Sequence, residues 1–379
     1  LITSINTLQP YHGSTKANSA YYRWDWGPRN SSGQRYKLPT PSLDIYLTHS
    51  SELSKSNNYS IKVLTRSPSS TSALALSSLP NVTLISGDVY NENDLHSAFT
   101  DISIAFVNLN GFAIGEKAEL YWGIRIFELA AEHGVKHFIW ASLDSSYKIS
   151  GYEPRFRTGH FEGKAKVADW ISAQKIREGA MKWSVLTSCM YLETFSEMLA
   201  PAKEIVEGEE IVVFKAPVGK GVPPMIYLED LGKYARWLVE HPEKSNGLNL
   251  KIATANVGWK DVAKSFTEVT GKKAVFRDIS LEEYFASGVF GDADRKVGHS
   301  VGHEDDTLMT YRDNFSGFWN TWKEDVLNRT KENYELLDEI LPERVRSVGE
   351  WMKLTGYTGE RTNVLKDYAD AGRKKPQRA

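Results

Sequence analysis

The 379-residue chain is 41% hydrophobic and 25% charged with a net charge of −2, a composition that suits one large globular domain or two modest ones. The near-neutral balance argues against a broad basic field for nucleic acid, and no apolar run reaches the ~20 residues of a membrane helix. A single cysteine, Cys189, excludes an internal disulfide, and without clustered Cys or His no metal site is expected.

These features predict a soluble cytoplasmic protein that avoids membranes and does not bind nucleic acid directly. Five Asn-x-Ser/Thr sequons, at Asn30, Asn58, Asn81, Asn314 and Asn328, read as chance without a signal peptide. Leu1 in place of Met leaves room for residues upstream. The basic run Arg373, Lys374, Lys375 and Arg378 reads as a solvated tail, with a nuclear address as the alternative.

Residues 1–36 mix Ser, Asn, Gly and aromatics without a period and predict an irregular segment. From Tyr59 the pattern changes. Ser60–Arg66 reads as a strand with a charged exit, followed by loop and helix to Leu79. Val82–Ile85 is a second strand, closed by Gly87-Asp88, and Asn91 opens a helix with acids in its first turn. Ile102–Val107 is a third strand, and a helix over Ala118–Glu132 stops at Gly134. Lys136–Trp140 is a fourth strand, His160 to about Gln174 a helix, and Trp183–Leu186 a fifth strand.

This alternation requires crossover connections, so it predicts an α/β fold with a doubly wound parallel sheet. Ligands of such sheets sit at the carboxyl ends of the strands. Beyond Thr187 the rhythm loosens into a smaller α+β lobe. A helix is expected over Met190–Glu207, a strand at Ile211–Phe214, then a Gly/Pro loop and a helix from Asp230 to His241. Leu248–Ala253 and Val275–Ile279 read as strands, Trp259–Thr270 as a helix, and Ser280-Leu281-Glu282-Glu283 as a capping box. The expected division is an irregular segment 1–36, a Rossmann domain 37–190, a substrate or partner lobe 191–330 with strands returning to the sheet, and a helical segment and tail 331–379.

Several residues suit dinucleotide chemistry. Arg66 ends a strand where an arginine pairs the 2′-phosphate of NADP and an acid would bond the 2′-hydroxyl of NAD. A surface arginine is the plain alternative. Asp88 can accept from an adenine amino group, or simply flank a turn. His160 and Lys164 share one helix face at i, i+4; either they are a surface pair, or the imidazole exchanges a proton beside an ammonium that depresses its basicity. Ser142 follows a strand end, with Asp144 and two more serines behind it. Cys189 has no histidine placed beside it and reads as packing.

In order and spacing these segments resemble the NmrA-like family of atypical short-chain dehydrogenases. The resembling pieces are Ile61–Arg66, Ile85–Asp88, Glu132–Trp140, His160–Lys164, Met190–Phe195 and Asp230-Leu231-Gly232, with Tyr334–Met352 and Gly356–Glu360 similar to fungal members. The resemblance implies NADP, with NAD weaker, lying across the strand ends. Arg66 would hold the 2′-phosphate, Asp88 and Val89 the adenine, and Asn108, Leu109 and Asn110 the pyrophosphate side. Lys164 would hold the nicotinamide ribose, as the lysine of a Tyr-x-x-x-Lys pair does; His160 stands where that tyrosine would be, and Ser142 where a positioning serine would be. Tyr191, Leu192, Glu193 and Thr194 would line the nicotinamide pocket, Thr194 standing where many relatives have Asn.

One departure is plain. The family opens with a strand, a Gly-x-x-Gly-x-x-Gly loop and a helix, but the matching distance holds Leu38–Tyr46, with two prolines and no glycine. The glycines of Gly27–Gly33 have no apolar strand before them. Three accounts fit: an altered reading of the gene, a substitute first strand at Leu43–Leu47, or a protein that does not bind the cofactor. The expected function is a redox-sensing regulator that binds NADP(H) and a protein partner. The alternatives are an NADPH-dependent oxidoreductase on a small carbonyl or quinone, with Lys164 and His160 at the chemistry and Tyr284, Phe285, Phe290, Phe315, Phe318, Trp319 and Trp322 as a lid pocket or as core, and a scaffold without ligand.

Overall fold

The computed structural model describes residues 2–7, 45–56, 58–174, 179–298, 305–327 and 332–362. In chain order the first half runs β1 (Ile2–Thr7), α1 (Ile45–Ser54), β2 (Tyr59–Thr65), α2 (Thr71–Ser77), β3 (Val82–Ser86), α3 (Glu92–Phe99), β4 (Ile104–Val107), α4 (Gly111–Glu132), β5 (His137–Ser142), α5 (Ser146–Ile149), α6 (Gly159–Ser172) and β6 (Lys182–Thr187). The second half adds β7 (Met190–Tyr191), β8 (Ala202–Val206), β9 (Glu209–Ala216), β10 (Pro224–Ile226), α7 (Leu228–Glu240), α8 (Pro242–Ser245), β11 (Asn249–Lys251), β12 (Ala255–Asn256), α9 (Trp259–Thr270), β13 (Ala274–Asp278), α10 (Leu281–Ala286), α11 (Tyr311–Lys323), α12 (Tyr334–Ile340) and α13 (Val348–Thr355).

Seven strands form the main sheet in the order β11-β6-β5-β4-β1-β2-β3. Side chains alternate across it, as a pleated strand requires. Ile61, Val63, Ile104, Phe106, Ile139 and Ala141 face one way and pack with Leu53, Leu231, Tyr234 and Leu238 of α1 and α7. Leu64, Ala105, Val107, Phe138 and Trp140 face the other way and pack with Leu95, Ile126, Val167 and Ile171 of α3, α4 and α6. A sheet covered on both faces needs near-continuous apolar strands, and β4 and β5 are buried at every residue. The expected doubly wound parallel sheet is therefore the observed frame.

The centre of that sheet departs from expectation. Within the segment read as irregular, Ile2–Thr7 forms β1, antiparallel to both neighbours, with Ile5 opposite Ile61 and Ile104. The other pairings of the sheet are parallel. Of the three accounts, the substitute strand at Leu43–Leu47 is not what its described part forms, since Ile45 opens the helix α1. Thr3 Oγ1 lies 2.9 Å from His49 Nε2 of that helix. Leu38–Asp44, Gly27–Gly33 and the basic C-terminal run lie outside the described residues.

Two further readings change. The helix expected over Met190–Glu207 is instead β7, a 3-10 turn over Leu192–Ser196, and β8. The helix expected from Ala118 begins at Gly111, with Asn110 capping it by accepting from the Ala113 amide, and bends at Gly115, whose φ of 75° suits glycine. The second lobe holds the sheets β12-β10-β7 and β13-β9-β8 around an aromatic core that includes Phe195, Phe214, Trp259, Phe266, Trp319 and Trp351. The capping box at Ser280 and Glu283 is present.

Ile5 is fully buried at the sheet centre, so Ile5→Ala is expected to lower unfolding stability by ~2–5 kcal/mol, the usual cost of such a core truncation. Urea denaturation followed by tryptophan fluorescence measures it; an unchanged midpoint would remove β1 from the core.

Candidate functional site at the carboxyl rim

The carboxyl ends of β2, β3, β4, β5 and β6 lie on one edge, because these strands run in register and parallel across β2–β3 and β4–β5–β6. A cavity of about 240 Å³ opens there, walled by Asn108, Leu109, Asn110 and Gly111 after β4, Leu143 after β5, His160, Phe161 and Lys164 of α6, and Cys189 to Tyr191 and Thr194. The second lobe closes it with Met198, Leu199, Phe315, Phe318 and Trp319. The wall is mostly apolar, as small-molecule sites are.

Lys164 carries the main charge at the cavity. Its Nζ donates to Asn108 Oδ1 at 2.9 Å, to the Leu109 carbonyl at 2.6 Å and to Glu119 Oε1 at 2.9 Å. Glu119 is fully buried, and that burial pushes its carboxyl up while Lys164 draws it down.

His160 is held differently. Its ring stacks on Phe112 with centroids 4.5 Å apart and on Phe315 at 5.5 Å. Asn314 Oδ1 accepts from the His160 backbone N–H at 3.2 Å, which fixes the amide, and lies 3.0 Å from Nδ1. That oxygen can only accept, so Nδ1 carries the proton and Nε2 is left as an acceptor. Burial pushes the imidazole down to about 4. His160 is thus neutral around pH 7 and unsuited to act as a general acid there.

The remaining sequence-derived residues divide. Asn108, Leu109, Asn110, Tyr191 and Thr194 join Lys164 and His160 at the cavity. Leu192 is fully buried in the aromatic core. Glu193 turns inward too: its Oε1 accepts from the Leu228 amide at the start of α7 at 3.2 Å, and burial pushes its carboxyl up to about 7. Ser142 is buried, its hydroxyl donating to the Leu143 carbonyl at 3.2 Å. Val89 packs with Leu95 and Phe99 under the rim. Arg66 and Asp88 sit together further along the edge, 4.0 Å apart with Arg66 half-exposed. Of the aromatics, Phe315, Phe318 and Trp319 reach the cavity, while Tyr284, Phe285 and Phe290 pack in the core behind. Cys189 lines the wall but donates to the Ile252 carbonyl, and burial pushes its thiol well up.

Sequence reasoning missed Phe112, Asn314 and Glu119. Glu119 had a signal: it lies four residues before Gly123, on the face of α4 that buries Gly123, Ile126, Phe127 and Ala130. A carboxylate on such a stripe asks for a partner.

A dinucleotide would have to span this edge. Its two ends suit the residues present, a half-exposed guanidinium at Arg66 and a cavity with an ammonium at Lys164. The middle differs, because antiparallel β1 brings its amino end, Ile2 opposite Leu64 and Val107, to the rim. Among the described residues no strand-to-helix turn leaves β1 there. Nor do they include a group able to hold a metal ion or a helix long and apolar enough to cross a membrane.

The model of the NmrA-like family matches residues 48–318, most of the chain. The chain belongs to the NmrA-like family. A similar relative is the NmrA-like family domain-containing oxidoreductase hkm9 of Aspergillus hancockii, 26% identical over 245 residues that cover 62% of this chain and 71% of the relative. Another is the oxidoreductase FrzB of Cladobotryum sp., 26% identical over 251 residues, 61% of this chain and 73% of the relative. Among solved structures, NmrA, a negative transcriptional regulator in complex with NADP, superposes with a TM-score of 0.57 at 16% identity, covering 77% of this chain and 86% of that one. An NADPH-dependent quinone oxidoreductase of Escherichia coli gives 0.57 at 16% identity, covering 82% and 96%. At such identities the structural likeness speaks for the fold alone.

A histidine held near 4 but free to titrate near 6.5 in the unfolded chain makes stability fall as pH drops through that window, because the unfolded state takes up the proton first. His137, pushed to about 4 by burial, acts in the same direction. His160→Phe keeps a ring between Phe112 and Phe315 and removes one titration. Its Tm is expected to decline less steeply than wild type between pH 6.5 and 4; parallel curves would mean that folding leaves the His160 pKa unshifted.

Proposed function

We propose that this NmrA-like protein binds NADP(H) in preference to NAD(H) along the carboxyl rim and works as an oxidoreductase on an apolar acceptor held in the aromatic-roofed cavity. The observation that carries the reading is the cavity itself: a largely apolar chamber of about 240 Å³ walled by Lys164 on one side and Phe315, Phe318 and Trp319 on the other. The oxidoreductase names of the fungal relatives lend support. Arg66 would hold the 2′-phosphate through a guanidinium only 4.0 Å from one carboxylate and open to solvent. Lys164 and Asn108 would hold the ribose end. The dinucleotide, when bound, supplies a hydride.

The protein's own residues define the acceptor. Phe112, Phe315, Phe318 and Trp319 bind by apolar contact and exclude water. His160 offers a neutral imidazole and no ready proton at pH 7. Such a site suits an acceptor whose reduced form stabilises its own negative charge, such as a quinone or conjugated carbonyl, and takes up its proton from bulk water on release. A simple ketone needs a positioned acid.

That same neutral histidine favours a second reading, a redox-sensing regulator in which occupancy of the rim alters a partner surface. The structurally similar NmrA regulator in complex with NADP offers a parallel. Turnover separates the two. NADPH, NADP+, NADH and NAD+ are titrated against the chain through the fluorescence of its eleven tryptophans, and NADPH oxidation is followed with a quinone and carbonyl panel. The expected result is micromolar NADPH binding, weakened ~10- to 100-fold by Arg66→Ala, in line with ~1.4–2.7 kcal/mol for a charge-assisted contact, with turnover lost in Lys164→Ala. Binding without turnover of any acceptor would favour the regulator. No binding of any of the four would defeat both readings.

A further inference from the structure

Glu119 lies at the contact of α4 and α6 with none of its surface exposed. Two glycines make room for it: a Cβ on Gly111 or on Gly163 would stand 2.5 Å from its Oε2. That oxygen has no hydrogen-bond partner. Helix packing would be served by an alanine or leucine, and a buried carboxylate is strongly unfavourable unless paired. The pairing here is to Lys164. An ammonium has three N–H donors, and Lys164 spends them on Asn108 Oδ1, the Leu109 carbonyl and Glu119 Oε1. Two of those acceptors belong to the end of β4, and only Glu119 brings a charge. Glu116, the other carboxylate near it, is occupied by Arg157 and Lys166.

We infer that Glu119 is a positioning residue that fixes the Lys164 ammonium against the end of β4 at the cavity wall. A ligand hydroxyl or phosphate oxygen entering the cavity then competes with the neutral acceptors Asn108 and Leu109, while the charged contact stays. Lys164 meets the ligand from a fixed place and loses little freedom on binding. The consequence for a bound dinucleotide rests on the function proposed above; the positioning of Lys164 does not.

The test is brief amine acetylation of the ligand-free full chain, read residue by residue by mass spectrometry, alongside NADPH titration. In Glu119→Gln, Lys164 is expected to acetylate about tenfold faster than in wild type, a change of ~1.4 kcal/mol, with exposed Lys264 of α9 unchanged as reference. NADPH should bind about tenfold more weakly in Glu119→Gln and in Lys164→Met, with no further loss in the double variant. Unchanged acetylation of Lys164 in Glu119→Gln overturns the inference whatever NADPH does. A wild-type chain that ignores NADPH but shows the acetylation difference overturns the cofactor reading and supports the positioning. Should Glu119→Gln not fold, the double variant decides: melting above Lys164→Met supports the pair, and melting below it or failing to fold overturns it.

Discussion

A sheet covered on both faces cannot leave a gap in its middle. The slot between β4 and β2 must be filled by a strand, because the facing N–H and C=O rows would otherwise be buried without partners. In this protein Ile2–Thr7 fills it, hydrogen-bonded on both sides. Its direction is free within limits: an antiparallel strand satisfies both neighbours as well as a parallel one. What direction decides is where the chain goes next. A parallel β1 would deliver the chain to the carboxyl rim, whereas this one leaves from the opposite edge, at Thr7 opposite Tyr59. Packing of the sheet and chemistry of the rim are thereby uncoupled. The core closes around Ile5 while the rim lacks, among the described residues, the turn that would approach a pyrophosphate.

That uncoupling explains what could be read from the chain. The β2-to-β6 frame was legible because each βα unit carries its own local signals: strands of four to seven residues rich in apolar and β-branched side chains, Asn91 as a cap and Gly134 as a stop. β1 was not, since Ile2–Thr7 carries only two Ile, three residues apart among Thr, Ser and Asn, and takes its place from neighbours far along the chain. The helix misread at Met190–Glu207 failed for a related reason. Its apolar residues serve three short elements, with Leu192 and Phe195 in the second-lobe core and β8 pairing β9, and no period records such a division.

The candidate site shows the same split. Lys164 and His160 were found by their i, i+4 spacing, and Asn108 to Asn110 through the family resemblance. Their roles were hidden because both depend on residues distant in sequence. Asn314 comes from the second lobe and sets the imidazole's tautomer, while burial against rings such as Phe315 keeps it neutral. Glu119 comes from one helix earlier and sets the ammonium's place. Glu193 is the converse: the family resemblance put it at the cavity, but the 3-10 turn points it inward to the start of α7, where a buried carboxyl answers a free amide and the helix dipole.

Arg66 and Lys164 therefore stand apart along the rim, and among the described residues no strand-to-helix turn from β1 lies between them. At one end Arg66 is solvated and only loosely paired; at the other Lys164 is fully engaged and fixed. A solvated guanidinium contributes through charge and is screened by salt, whereas a fixed ammonium in an apolar wall contributes through geometry and is screened far less. A ligand spanning both ends would draw its specificity for phosphate from the Arg66 end and its orientation from the Lys164 end. The aromatic roof adds shape selection on the side away from the sheet. On the proposed reading both ends would contribute affinity, the Arg66 end chiefly through charge and the Lys164 end through an ammonium already held in place.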